Sequence, residues 1–282
     1  MRVRAGVHHT ARLYPSTYNP DAEHVVIDLL DKRSLNRAMV GVETVYHFAA
    51  LRNTGASKED LFKINVEGTR NVWECAAESR LRTGLYCSST AVYGLLSSAV
   101  KQVSEERRPR AFESYGRSKL IGETVALEIG VAEGVDTVVI RPVAVFGPSM
   151  NVPAGMSFQN ATFSSFLLAR IFRARMFSFV HVEDVAEAAV HLMHSISSWK
   201  GIFNVAADEP ISVDEALEAY IHVLERLGRP YKRAKFLGWA SAIAQELPFI
   251  SYVGSRHKGK LVSTLFRPEY YVTYSSNKLL DT

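Results

Sequence analysis

Tyr115 and Lys119 stand four residues apart in a stretch with helical periodicity, so both side chains fall on one face of a helix. A phenol titrates near pH 10, too high for proton transfer at neutrality. A neighbouring ammonium stabilises the phenolate and lowers that value. A Tyr-x-x-x-Lys pair is therefore a proton-transfer device, or else a ring packed on a helix with a lysine stem beside it. Ser89 follows the apolar run 84–87, which puts it at the carboxyl end of a strand. The run Ser88-Ser89-Thr90-Ala91 offers small hydroxyls that polarise a substrate carbonyl or, alternatively, cap the backbone of a turn. A strand-end serine with Tyr-x-x-x-Lys downstream is more specific than either feature alone.

The elements that must position these residues alternate in type. Strands are expected at 3–7, 24–27, 43–49, 84–88, 136–140 and 201–205, all rich in β-branched, aromatic or aliphatic residues. Helices are expected at 58–78, with Leu61, Ile64, Val66, Val72 and Trp73 at helical spacings, at 115–128 and at 181–195. Arg141-Pro142 is read as the point where proline ends the strand pairing. Ser212 with Glu215 reads as the capping box of a further helix. Alternation of this kind implies a parallel sheet with helices on both faces and a ligand outside the carboxyl ends of the strands. Residues 149–163 read as a loop leaving the sheet. The region after residue 228 reads as a substrate-side lobe, with 236–250 an amphipathic helix packed on the core.

With 282 residues, 47% hydrophobic and 22% charged, the composition is that of a globular enzyme and excludes a disordered chain or a disulfide scaffold. Cys75 and Cys87 form no metal-ligand spacing, and a reducing, cytoplasmic location is the simplest expectation. A net charge of +4 is too mild to indicate nucleic acid, and no segment has the apolar length of a membrane span.

In order along the chain come Val26-Ile27-Asp28-Leu29, Val45-Tyr46-His47-Phe48-Ala49-Ala50, Asn65-Val66-Glu67-Gly68-Thr69 and Cys87-Ser88-Ser89-Thr90-Ala91-Val92-Tyr93-Gly94. Then follow Tyr115-Gly116-Arg117-Ser118-Lys119, Arg141 to Pro148, His181-Val182-Glu183-Asp184-Val185-Ala186 and Phe203-Asn204-Val205-Ala206. Collinear over roughly residues 1–225, this series resembles the extended short-chain dehydrogenase/reductases, the NAD(P)-dependent epimerase/dehydratase superfamily. The resemblance implies a Rossmann-like, doubly wound α/β fold with a smaller C-terminal substrate lobe. The dinucleotide-binding domain would occupy 1–148, with 180–205 returning to it, and the lobe 149–282.

Residue by residue, the resemblance makes Tyr115 the acid/base. Lys119 would be its partner and the holder of the nicotinamide ribose, and Ser89 the hydroxyl that orients the carbonyl. Asn65 would steady the active site. Asp28 and Leu29 would lie near the adenine, Ala49 and Ala50 along the diphosphate and ribose, and Pro142 and Val145 at the nicotinamide wall. One departure stands out: no G-x-x-G-x-x-G turn occurs anywhere in the sequence. In the family that turn supplies the backbone donors for the diphosphate. The chain thus reads as N-terminally shortened, with the first strand of the sheet lacking and cofactor binding weakened.

The activity implied is hydride transfer between NAD or NADP and a C–OH or C=O, making the chain an oxidoreductase or isomerase acting on a nucleotide sugar or similar substrate. Thr90 and Ala91 stand where dehydratases carry Asp-Glu, which disfavours a sugar dehydratase. A hydroxysteroid or dihydroflavonol reductase is the alternative within the class. A non-catalytic nucleotide-sensing or binding protein is the alternative outside it. His8, His9 and Arg12 follow the first strand with no acid before Asp21, a pattern that favours the 2′-phosphate of NADP. The helices at 58–78 and 115–128 resemble the family's dimer contact, so a homodimer is expected.

Overall fold

Short runs of valine, isoleucine and aromatic residues form parallel strands, and longer runs with apolar residues three and four apart form the helices that cover them. The structure is a computed structural model describing residues 2–8, 19–52, 56–94, 102–147, 176–196, 200–207, 211–212, 222, 226, 273–274 and 276–280. Strands β1 (Arg4–Val7) and β2 (Glu23–Val26) pair in parallel, Arg4 opposite Glu23. Helix α1 (Lys32–Met39) follows, capped by Asp31, whose carboxylate accepts from the Arg33 amide at 2.9 Å. Then come β3 (Thr44–His47), α2 (Lys58–Phe62), a π-helical turn (Lys63–Glu67), α3 (Gly68–Glu78) and β4 (Thr83–Cys87).

A 3₁₀ turn (Thr90–Tyr93) and β5 (Gln102–Val103) lead to α4 (Ser114–Glu133), which ends on Gly134 in the left-handed region at φ 74. Next are β6 (Asp136–Pro142), β7 (Ala144–Phe146), β8 (Met176–Phe177), β9 (Phe179–His181), α5 (Val182–His194) and β10 (Gly201–Val205). Short pieces β11 (Ile211–Ser212), β12 (Thr273–Tyr274) and α6 (Asn277–Leu280) complete the described chain.

The principal sheet runs β10-β6-β4-β3, all parallel, and β1-β2 forms a second parallel ribbon. Among the described residues no hydrogen-bonded strand joins β1 to β3. Side-chain alternation buries both faces of the principal sheet. Leu85, Val138, Ile140 and Phe203 pack with Val185, Ala189 and Leu192 of α5. Tyr86 and Val139 pack with Val72 and Trp73 of α3 and Ala126 of α4. The same cluster holds Leu29, Leu35 and Met39, which ties α1 and the end of β2 to α3.

The structure departs from the sequence expectations in places. Helix α1 was not foreseen: its Leu35 and Met39 are its only two buried large apolar residues, too few for a strong periodic signal. The stretch 58–78 is helical throughout but widens into a π turn at Lys63–Glu67. Strand β6 ends at Pro142, as expected, with Pro142 still opposite Val205 of β10. In a parallel ladder only alternate residues bond to a given neighbour. Pro142 turns its nitrogen towards β4, where pairing ends at Cys87 opposite Ile140. Ser212 belongs to the short β11, and the residues after it, including Glu215, lie outside those described, as do 149–163 and 236–250.

Candidate active site

Helix α4 presents Tyr115 and Lys119 on one stripe, against the turn that follows β4. Ser89 caps the 3₁₀ turn there, its hydroxyl accepting from the Ala91 amide at 3.2 Å. The same hydroxyl faces the Tyr115 phenol and favours its ionisation. Close approach of the two elements depends on Gly116: a Cβ there would stand 2.5 Å from the Ala91 carbonyl oxygen. Gly122 does the same one turn below Lys119, where a Cβ would meet the Tyr86 hydroxyl at 2.3 Å and the Asn65 carbonyl at 3.0 Å.

The electrostatics are set by burial. Lys119 is 1% exposed, and its ammonium lies 4.3 Å from the centre of the Tyr86 ring. Burial draws its pKa down to about 8, against the opposing influence of Cys87 and Glu123. Burial raises the Tyr115 phenol above its ordinary value, as does Cys87, while Arg52 and Ser89 pull the other way. The cation that eases Tyr115 ionisation here is thus Arg52, and Lys119 is seated on Tyr86 instead. Ser88, 4% exposed beside Ser89, leaves its buried hydroxyl without a partner.

Asn65 braces the site from the π turn. It is fully buried; its side-chain oxygen accepts from the Leu51 amide at 2.7 Å. Its nitrogen donates to the Leu51 carbonyl and to the Ser118 hydroxyl, both at 2.9 Å. One side chain thereby ties the segment after β3 to α4 at the residue before Lys119. Behind it, the His47 ring lies 3.1 Å from the Thr69 hydroxyl, which donates to the Asn65 carbonyl at 2.7 Å. Burial, with Lys119 nearby, drives the His47 pKa down to about 3, so this histidine is a neutral core residue.

The remaining sequence-selected positions follow strand ends. Half-buried Asp28 follows β2, its carboxylate accepting from the Leu30 amide at 2.9 Å. Buried Leu29 packs on Gly68 of α3. Ala49 is exposed and Ala50 half-buried after β3. Buried Pro142 accepts at its carbonyl from the Thr90 hydroxyl at 3.4 Å, and half-buried Val145 lies in β7. His8 is exposed after β1; His9 and Arg12 lie outside the described residues. Ser89 meets the α4 stripe of Tyr115 and Lys119, and Asn65 is tied to the same helix through Ser118, while Ala49, Ala50 and Pro142 follow or end the neighbouring strands β3 and β6.

Sequence reasoning missed Arg52, Tyr86, Glu123 and Arg141. Arg52 acts across the fold on Tyr115, so spacing gives no hint of it. Tyr86 carries a signal, being an aromatic three residues before Ser89 on the strand that places it. Glu123 carries a clearer one, since it continues the 115–119 stripe by four more residues.

Residues 4–206 match the model of the NAD dependent epimerase/dehydratase family. Uncharacterized protein y4nG of Sinorhizobium fredii is 27% identical over 209 residues, covering 73% of this chain and 51% of that protein. The 3beta-hydroxysteroid-dehydrogenase/decarboxylase isoform 2 of Arabidopsis thaliana is 26% identical over 194 residues, 66% of this chain and 34% of that one. The chain thus spans about half, or less, of these curated relatives. The structure of RMD from Pseudomonas aeruginosa complexed with NADPH superposes with a TM-score of 0.64 at 20% identity, covering 94% of this chain and 84% of that one.

Proposed function

Since this chain belongs to the NAD dependent epimerase/dehydratase family, we propose that it supports NAD(P)-linked hydride transfer at a C–OH or C=O carbon. The observation that carries the reading is the Tyr115 phenol facing Ser89, with the buried Lys119 ammonium one helical turn away. Tyr115 moves the proton at the substrate oxygen, and Ser89 aligns that oxygen. Burial keeps the phenol protonated at neutrality, which suits it to donate to a carbonyl. Asn65 holds the α4 end of the site to the segment after β3.

The residues fit the nicotinamide-ribose half of the cofactor. Lys119 offers an ammonium seated over the Tyr86 ring, and Ser88 offers an orphaned hydroxyl. Ribose hydroxyls satisfy the first, with Pro142 and Val145 as the wall beside the ring. Asp28 and Leu29 lie towards the adenine, and Ala49 and Ala50 along the diphosphate. When bound, the nicotinamide supplies the hydride acceptor or donor. His8 and Arg12 favour NADP over NAD.

The substrate class in this reading is a nucleotide sugar or a similar alcohol. A hydroxysteroid-type alcohol is the second reading, supported by the likeness to the Arabidopsis hydroxysteroid dehydrogenase/decarboxylase. A homodimer through α3 and α4 belongs to the same proposal, since the outer face of α4 exposes Ile121 and Val131. Among the described residues no helix is long and apolar enough to cross a membrane; a cytoplasmic location is part of the proposal.

Nucleotide titration tests the cofactor assignment. NAD⁺ and NADP⁺ should each perturb the intrinsic tyrosine and tryptophan fluorescence, NADP⁺ at lower concentration. Lys119→Met should weaken both by on the order of tenfold, the size of a lost charge-assisted contact. Equal titrations for the wild type and Lys119→Met would remove Lys119 from the ribose site.

A further inference from the structure

The stripe that carries Tyr115 and Lys119 continues one turn further to Glu123, which is 2% exposed and faces the sheet. Its carboxylate receives two hydrogen bonds from Arg141 of β6, Nε to Oε1 at 2.9 Å and Nη2 to Oε2 at 2.6 Å. Arg141 is also 2% exposed. Its Nη1 donates to the Tyr93 hydroxyl at 2.9 Å, and its guanidinium lies 4.9 Å from the centre of the Tyr93 ring. Tyr93 donates in turn to the Asn204 side-chain oxygen of β10 at 2.8 Å. Asn204 donates from its side chain to the Val103 carbonyl at 3.2 Å and from its backbone to Glu105 at 2.7 Å. One buried network therefore grips α4, β6, β10, β5 and the turn behind Ser89.

A buried ion pair is a poor choice for stability alone, because desolvation offsets most of the attraction and an apolar pair of similar volume serves as well. What the pair does supply is a fixed register. The bidentate fork allows one rotation and one height of the helix against β6. With 115, 119 and 123 on one stripe, that register also sets the height of the phenol and the ammonium. We propose that Glu123 and Arg141 are positioning residues, a buried anchor that holds α4 where Tyr115 meets Ser89 and Lys119 meets Tyr86. This rests on the reading of Tyr115 and Lys119 given above.

The anchor has an electrostatic side as well. The groups acting on Lys119 are Cys87 of β4 and Glu123 of α4, both favouring its charged form. His47 of β3 feels the Lys119 charge, and the Tyr86 ring of β4 lies beneath the ammonium. Those acting on Tyr115 are Cys87, Arg52 and Ser89. Removing the Glu123 carboxylate takes an anionic influence from Lys119 and lowers its proton affinity further, whereas Cys87, its pKa raised by burial to about 11, stays a neutral thiol.

The test uses the full chain with ¹³C-labelled lysine and tyrosine side chains, Lys119 and Tyr115 being assigned with Lys119→Arg and Tyr115→Phe. In the double variant Glu123→Leu/Arg141→Met an apolar pair replaces the ion pair, so the melting temperature should stay within a few degrees of wild type. The Lys119 titration midpoint should nevertheless fall, because the carboxylate that favours its charged form is gone, and the Tyr115 resonance should move. Glu123→Gln keeps the side-chain shape and should lower the midpoint in the same direction, which serves if the double variant does not fold. A folded variant with the wild-type Lys119 midpoint and Tyr115 resonance overturns the anchor. The readout needs no turnover, so an inactive wild type that shows the shift would count against the enzymatic reading alone.

Discussion

Tyr115 keeps its proton because it is buried beside Cys87, and Arg52 and Ser89 only partly offset that. Arg52→Ala should therefore raise the Tyr115 titration midpoint further, which ultraviolet difference titration against Tyr115→Phe will show; a fall would mean that Arg52 does not face the phenol. His47 supplies a second residue-scale expectation. Its folded pKa is about 3, below its ordinary 6.5, so the unfolded chain binds the extra proton first. The stability that this contributes is complete above about pH 6.5 and is lost as pH falls through 3. Urea unfolding of His47→Gln should show a shallower decline across that window, by about 2 kcal/mol or more. A variant as acid-sensitive as the wild type would assign the decline elsewhere. The pair at 115 and 119 was legible in the sequence because four residues is one helical turn. The seating of Lys119 on Tyr86 was not, because it depends on which face of β4 meets α4.

At the scale of elements, the site exists because α4 comes unusually close to β4 and to the π turn. Gly122 is what permits it, with the Tyr86 hydroxyl and the Asn65 carbonyl where a Cβ would stand. Gly122→Ala should destabilise the fold by about 1–3 kcal/mol, the usual cost of overpacking. It should also shift the Lys119 titration, since Tyr86 must move. Thermal melts with lysine NMR check both, and an unperturbed variant would show that α4 is free to yield. Most strands and the long helices were legible from periodicity, since both faces of the sheet are buried and each strand reads as an apolar run. Helix α1 was not, having only Leu35 and Met39 as buried large apolar residues, and neither was the π turn, which leaves no mark on hydrophobic spacing.

For the whole molecule, the parallel order β10-β6-β4-β3 places Ser89, Pro142 and the Ala49-Ala50 segment at the carboxyl ends of neighbouring strands, where an α/β sheet binds ligands. The ribbon β1-β2 carries Asp28 and His8 at its own strand ends. The collinear motifs made this architecture legible before any geometry was known. The network through Arg141 and Asn204 was not, because it joins residues up to 111 positions apart. We propose that Tyr115 is the proton carrier of an NAD(P)-linked reaction. Its most direct test is product analysis by NMR, with UDP-hexoses and 3β-hydroxysteroids supplied in turn alongside millimolar NAD⁺ or NADP⁺. Conversion should require the nucleotide and fall by on the order of a hundredfold in Tyr115→Phe, with its melting temperature unchanged. Conversion that Tyr115→Phe leaves intact, or that proceeds without nucleotide, would contradict it.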